Sequence, residues 1–294
     1  MKVGFIGAGK VGFSLGKYFK EKNVDVTGYY SKSPESAKSA ADFTNTKAYD
    51  AISDLLRESD TLFITVPDQN IGEVWDCIKN LDIKNKNICH CSGSIASTAF
   101  FDGEKLGASI YSVHPLYAIS NKYASYQELQ NAYFTIEGSQ NHIKDMTDFL
   151  QKAGCRVIIT TTENKSLYHC GAVVVSNLVV GLYALGGRIL ESCGFTKEDA
   201  QQALAPLFLG NAQAIVEKGQ VEALTGPVER ADTITIEKHI SAIRNASVKS
   251  KEELLQIYLL LSEQLLAIAG EKHPDRDYTK VAEVIQNEKH SFNI

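Results

Sequence analysis

Residues 1–12 read MKVGFIGAGKVG, and this stretch decides how the rest of the chain is parsed. Lys2–Ile6 is a short apolar run with strand character. Gly7-Ala8-Gly9-Lys10-Val11-Gly12 is a G-x-G-x-x-G, and Lys10–Lys20 continues with apolar residues at helical spacing. The glycine pattern alone is a weak signal. Set between a strand and a helix, with a second strand at Val24–Tyr30, it has the context of a dinucleotide-binding turn. Gly7 permits the tight turn, Gly9 lets a pyrophosphate approach the backbone, and Gly12 lets helix and strand pack. With Ala8, Lys10 and Val11 they place backbone N–H groups at the positive end of the helix.

The end of the second strand selects the dinucleotide. An acidic residue there would bind the ribose 2′-hydroxyl of NAD. This chain reads Gly28-Tyr29-Tyr30-Ser31-Lys32-Ser33, with no carboxylate. Ser31, Lys32 and Ser33 offer two hydroxyls and a cation to a 2′-phosphate, so NADP(H) is the expected cofactor. Ser31–Pro34 also reads as the cap of the following helix, and the two roles are compatible. Further on, Thr65-Val66-Pro67-Asp68 ends a buried strand at its carboxyl edge. Val66 and Pro67 are expected near the nicotinamide, and Asp68 is expected to cap a helix beginning near Asn70.

Working outward, Pro34–Ala41, Leu56–Ser59 and Ile71–Ile78 read as helical segments. Thr61–Val66, Asn87–Cys91, Ser109–Val113, Tyr133–Ile136 and Arg156–Ile159 read as strands. This alternation predicts an α/β fold, a doubly wound parallel sheet. After Thr161 the pattern turns helical: Lys165–Leu190, Lys197–Lys218, Ile234–Ala246, Lys251–Ala269 and Asp275–Gln286. Gly194, Gly219 and Gly270 stand as stops. The expected domains are therefore 1–160, binding the dinucleotide, and 161–294, all-helical. Ser166–Gly187 carries no charge and reads as a helix buried in the middle of the second domain rather than a membrane span.

Thirty Lys and Arg against 35 Asp and Glu leave a net charge of −5. That excludes an electrostatic grip on nucleic acid or an anionic membrane. The six cysteines have no framework spacing and the start reads straight into a strand, so a reducing cytoplasm is expected. Cys89 and Cys91 flank His90, yet no second thiolate pair follows at zinc spacing. They read as buried thiols, and no metal is expected.

Three places carry candidate chemistry. His114-Pro115 follows the sixth strand at a carboxyl edge, and the neighbouring loop Cys91-Ser92-Gly93-Ser94 brings the hydroxyls of Ser92 and Ser94 to the same rim. His and Ser are natural donors to a carbonyl or hydroxyl exchanging a hydride. In the helix from Lys165, positions 165, 169, 173 and 177 share one face. His169 and Asn177, with Ser176 beside it, are polar groups that need partners if buried. Thr225–Asp232 leads through a Gly-Pro turn into a helix whose first turn carries Arg230 and Asp232. Arg230 suits a substrate carboxylate, or else pairs with Asp232, Glu229 or Glu237 as scaffold.

Together MKVGFIGAGKVG, TVPDQNI, HCSGSIAS, SVHPLYAI, YHCGAVVVSNLVV and LTGPVERAD resemble the Rossmann-like oxidoreductases with a C-terminal DUF2520 domain. Those are related in fold to ketopantoate, pyrroline-5-carboxylate and β-hydroxyacid enzymes and to prephenate dehydrogenases. The resemblance implies a 6-phosphogluconate-dehydrogenase-like helical domain that builds a homodimer. It also implies an NADPH-dependent reductase of a small anionic 2-oxo acid, ketopantoate first. Ser92, Ser94 and His114 look like the serine and His-Pro pair of prephenate dehydrogenases. Asn177 looks like the amide beside the reacting carbon in β-hydroxyacid dehydrogenases. Where those carry a proton-donating Lys, this chain has Val173, which leaves His169 or His114 as the acid. An imine reductase, a prephenate-type dehydrogenase and an NADP-binding sensor without turnover are the alternatives.

Overall fold

The computed structural model describes residues 1–292 and divides into two compact units, Met1–Ser176 and Asn177–Ile294. Eight strands form the sheet of the first unit: β1 (Lys2–Ile6), β2 (Asp25–Tyr30), β3 (Lys47–Tyr49), β4 (Thr61–Ile64), β5 (Asn87–His90), β6 (Ser109–Leu116), β7 (Tyr133–Gly138) and β8 (Arg156–Ile159). Their order is β3-β2-β1-β4-β5-β6-β7-β8. The chain leaves β1 toward β2 on one side and returns to β4 on the other. The carboxyl ends of β1 and β4 therefore border the crevice where open α/β sheets bind ligands. All neighbours run parallel except β6 and β7. The connection from β6 to β7 contains a 3-10 turn, Ser125–Asn131, and no α-helix, so the chain returns antiparallel.

Helices α1 (Lys10–Glu21), α2 (Pro34–Thr44), α3 (Ile52–Glu58), α4 (Ile71–Ile78) and α5 (Ile143–Lys152) cover this sheet. Alternation along the strands separates two cores. Val3, Phe5, Phe63, Cys89 and Tyr111 join Phe13, Phe19 and Leu150 in one cluster. Ile6, Leu62, Ile64 and Ile88 join Leu55, Val74 and Trp75 in the other. The three-residue β3 is too short to carry a pattern, whereas α5 was missed although its apolar residues keep helical spacing.

The boundary differs from the one expected after residue 160. A sixth helix, α6 (Lys165–Val175), belongs to the first unit, anchored by the buried Lys165. The continuous helix expected over Lys165–Leu190 breaks at Ser176, and α7 (Asn177–Ser192) begins the second unit. The shared face of positions 165, 169, 173 and 177 thus stops at 173.

The second unit continues with α8 (Lys197–Ala223), α9 (Thr233–Asn245), α10 (Lys251–Lys272) and α11 (Thr279–His290). Its core, including Ile236, Ile240, Leu255, Leu259, Val281 and Ile285, lies among α9, α10 and α11. Gly194 takes positive φ just beyond α7, and Gly219 takes positive φ inside α8, where it kinks the helix instead of ending it. Gly270 does not stop its helix, which runs on to Lys272. The expectation of a buried apolar helix also fails. No residue of α7 is buried, nor is any in the most apolar window of Lys165–Ser192. Helix α7 packs on α8, which leaves the rest of its surface open. By length and composition alone, Lys165–Ser192 and Lys251–Lys272 are apolar enough to cross a membrane.

Candidate active site

The glycine loop adopts the geometry its residues call for. Gly7 has φ +106°, and a side chain there would stand 2.9 Å from the Thr65 backbone. At Gly12 a Cβ would meet Thr65 Oγ1 at 2.4 Å and Gly7 O at 2.5 Å, so α1 can rest on the strand ends only with glycine. Gly9 differs. Its backbone is ordinary, and the nearest atom a Cβ would meet is 3.9 Å away. The protein itself does not demand glycine there, whereas a pyrophosphate lying on the backbone would.

A cavity of about 260 Å³ opens at this loop, lined by Gly7, Ala8 and Gly9, by Ser31 and Lys32 after β2, and by Val66 and Pro67 after β4. Seven of the expected cofactor residues thus meet in one place. Lys10, Val11, Gly12 and Ser33 do not line it. Ser33 Oγ accepts the Ser36 N–H at 3.1 Å and caps α2. Ser31 Oγ accepts the Ser33 N–H at 3.3 Å. Lys32 Nζ lies 2.7 Å from Glu73 Oε1 across the cavity mouth, a contact that raises the lysine's pKa. The residues present fit an NADP(H): the glycine loop would hold its pyrophosphate, and Ser31 and Lys32 its 2′-phosphate.

Asp68 is not a helix cap. It opens a 3-10 turn, Asp68–Asn70, and its Oδ2 accepts from Ser92 Oγ at 2.7 Å and Ser94 Oγ at 3.2 Å. The turn after β4 carries the carboxylate sideways to the loop after β5, where two hydroxyls satisfy it. Ser92 Oγ also accepts the N–H groups of Ser94 and Ile95, at 3.2 and 3.0 Å. Ser92 is therefore a buried loop organiser, while Ser94 is exposed.

His90 supports the same loop. Fully buried, it accepts the Ser92 N–H at Nδ1 (3.2 Å) and lies 3.1 Å from Ala96 O through Nε2. Desolvation by burial lowers its pKa to about 4, so it stays neutral. Burial likewise pushes the Cys91 thiol up to about 12 and Cys89 well above its usual value. Cys89 is the buried strand thiol expected from sequence, whereas Cys91 follows β5 and is only partly buried.

His114 lies inside β6 rather than after it. β5 pairing ends at His90↔Ser112, whereas His114 stands opposite Thr135 on β7. The antiparallel return of β7 thus extends the strand and holds the imidazole beyond the end of β5. Its Nδ1 lies 2.8 Å from the Tyr168 hydroxyl on α6. The His169 ring is 6.2 Å away, centre to centre. Both imidazoles lean on Gly93: a Cβ there would lie 2.4 Å from His169 Cδ2 and 3.0 Å from His114 Nε2. Burial, then the charges of Lys165 and His169, lower the His114 pKa to about 4.

Sequence reasoning missed three members of this cluster. Tyr168 touches His114. Lys165 is 1% exposed and its Nζ has no hydrogen-bond partner among the described residues. Glu137, also buried, accepts from Ser97 N and Oγ at 2.7 Å each and from Thr162 Oγ1 at 3.0 Å. The signals were present as Lys165-x-x-Tyr168-His169 on one helix, but apolar neighbours hid them. Among the described residues no three His, Cys, Asp or Glu side chains stand together as a metal site.

Ser176 ends the first unit, and Asn177, Arg230 and Asp232 belong to the second. Ser176 Oγ donates to Ala172 O at 2.7 Å, and Asn177 begins α7 in the second unit. Arg230 and Asp232 precede α9 instead of forming its first turn. Asp232 caps it, accepting from Thr235 N at 3.0 Å and Oγ1 at 2.7 Å. Arg230 is exposed and forms no ion pair within 4.0 Å among the described residues, while Glu229 pairs with His273 and Arg276. The scaffold pairing considered for Arg230 is thus not made.

Fold, cavity and cluster define a Rossmann-type oxidoreductase, and family models agree. Residues 2–89 match the family described as NADP oxidoreductase coenzyme F420-dependent, and residues 132–265 match the domain of unknown function DUF2520. The chain is an NADP-dependent oxidoreductase that joins these two domains. The DUF2520 match begins at the edge of β7 and so takes in the last strands and α6 as well as helices of the second unit.

Among solved structures, the chain is similar to protein TM1727 from Thermotoga maritima, with 23% identity and a TM-score of 0.72 over 90% of this chain and 98% of that one. An imine reductase from Pseudomonas sp. is 14% identical, with a TM-score of 0.62 over 92% and 97%. A reductive aminase from Aspergillus terreus, in complex with NADPH and ethyl-5-oxohexanoate, is 12% identical, with a TM-score of 0.63 over 90% and 93%. At these identities the likeness is one of fold. No curated protein matches.

Proposed function

We propose that the protein reduces a small anionic 2-oxo acid with NADPH, with ketopantoate as the first candidate. The observation that carries this reading is the chain of contacts from Pro67, in the wall of the nucleotide cavity, through Asp68 and the Ser92–Ser94 loop to His114 and His169. It supports a reading in which these side chains act on a substrate next to the bound cofactor. The bound NADPH would supply the hydride. His114, neutral at physiological pH, donates a hydrogen bond through Nε2 to the substrate oxygen. His169 is the second candidate for that contact, and Ser94 the exposed hydroxyl of the same rim.

A second reading is an imine reductase. It is favoured by the fold likeness to an imine reductase and a reductive aminase. The deciding experiment follows NADPH absorbance across a panel of 2-oxo acids and cyclic imines, with NADH as control and ketopantoate first. Oxidation of NADPH by 2-oxo acids alone supports the first reading, and by imines alone the second. Tight NADPH binding with no turnover of either would leave a sensor.

The working unit we propose is a cytoplasmic homodimer that engages neither nucleic acid nor membrane. Val180 and Leu209 are 69% and 64% exposed, and α7 carries charge only at Arg188 and Glu191. Such a face matches itself better than it matches water or a charged partner.

A further inference from the structure

We propose that Tyr168 is the proton source of this site, a positioning residue that acts on substrate through His114 with Lys165 behind it. The inference rests on the reductase reading above. Three observations converge. The Tyr168 hydroxyl meets His114 Nδ1 at 2.8 Å, whereas the Nε2 edge of the same ring faces Gly93. The Lys165 Nζ stands 5.6 Å from the centre of the Tyr168 ring, buried and with no hydrogen-bond partner among the described residues. The two residues lie one turn apart on α6, so they share a face of the helix.

The pairing fixes the tautomer. A phenol that donates to Nδ1 leaves the proton of the neutral imidazole on Nε2. A neutral imidazole is a poor acid by itself, because losing Nε2–H would leave an imidazolate. Relay removes that difficulty. When the substrate carbon has taken its hydride, the oxygen takes the Nε2 proton while Nδ1 takes the phenolic proton. The ring stays neutral throughout, and the negative charge passes from substrate oxygen to phenolate. Nδ1 then returns its proton to the phenolate while Nε2 takes one from solvent, which restores the starting tautomer, so one hydride and one proton are consumed per turnover.

The phenolate would be costly in a buried site, and burial raises the Tyr168 pKa, with Thr135 opposing it. Lys165 is the cation placed to offset that cost. The other groups facing the pair are His169 on α6, Asp68 after β4, His90 on β5, Cys91 beyond it and Glu137 on β7. Burial lowers the Lys165 pKa, and the negative charges of Glu137, Cys91 and Asp68 oppose that shift.

The test uses the whole protein and Tyr168→Phe, which keeps the ring and removes the hydroxyl. Nitrogen NMR of ¹⁵N-histidine-labelled protein without substrate should show His114 as the Nε2–H tautomer, converting to a tautomer mixture in Tyr168→Phe. In turnover, the variant should lose about 10- to 100-fold in kcat, with NADPH affinity within about two-fold of the parent. Lys165→Met should move the basic limb of the kcat profile upward in pH, because the phenol loses its cation. The relay is overturned if Tyr168→Phe leaves the His114 tautomer, kcat and pH profile unchanged. If the parent turns over no 2-oxo acid or imine, the reductase reading fails instead, while the tautomer measurement still decides the contact.

Discussion

The first unit wraps its sheet with helices on both sides and buries two aromatic-rich clusters, whereas α7 and α8, which open the second unit, bury one residue between them, Ala200. Both regions are apolar in composition. The difference is that a parallel sheet brings its own cover, since most of its crossovers lay a helix on a face. A pair of helices covers only the strip where they touch. The second unit has its own core among α9, α10 and α11, so it is not short of apolar residues. Its first two helices instead keep Leu178, Val180, Leu207 and Val216 on the surface. An apolar helix in a sequence therefore announces burial without saying by what.

The comparison can be broken most sharply at the glycine loop. Gly12→Val should abolish NADPH binding, a loss of about 100-fold or more, and destabilise the first unit by about 1–3 kcal/mol, because the added carbons overlap Thr65 and the Gly7 carbonyl. Fluorescence titration and thermal melting read both. His114→Asn should lower kcat by about 10²–10⁴-fold while NADPH still binds. Steady-state oxidation at the parental rate would remove His114 from the chemistry.

The second unit is challenged by charge. Val180→Glu with Leu209→Glu should turn a dimer into a monomer in sedimentation velocity, while the far-ultraviolet dichroism stays as it is. A parent that is already monomeric would sink the homodimer. A smaller effect separates the units by pH. His90 and His114 titrate near 4 when folded, below the ordinary 6.5, so the unfolded chain binds more protons between those values. Stability is then full above about pH 6.5 and falls toward pH 4, by on the order of 3 kcal/mol for His90 alone. Hydrogen exchange in β5 and β6 should quicken over that window. Mildest of all, Lys32→Ala should weaken NADPH binding by about ten-fold and leave NADH nearly unchanged. Equal losses for both would move the 2′-phosphate elsewhere.

Much of the first unit was legible because its signals are local. A strand, a G-x-G-x-x-G and a helix within the first 21 residues carry their geometry in steric terms, and the Ser33 cap follows from the residue type alone. The failures were failures of reach. Asp68 looked like the cap of a nearby helix, but a 3-10 turn aimed it at Ser92 and Ser94. His114 looked like a residue beyond a strand, because nothing in Ser109–Val113 reveals that β7 returns antiparallel beside it. Asp232 was read into the first turn of its helix and stands before it as the N-cap.

The sequence by itself determined the dinucleotide turn, the absence of a ribose-binding carboxylate after β2, and the change from α/β to helical pattern. Those depend on chain neighbours, where spacing and backbone conformation suffice. Only tertiary structure brought Tyr168 to His114, buried Lys165 with no hydrogen-bond partner among the described residues, and ended the first unit at Ser176. Such contacts join residues tens of positions apart, and packing between elements sets their distance and dielectric surroundings.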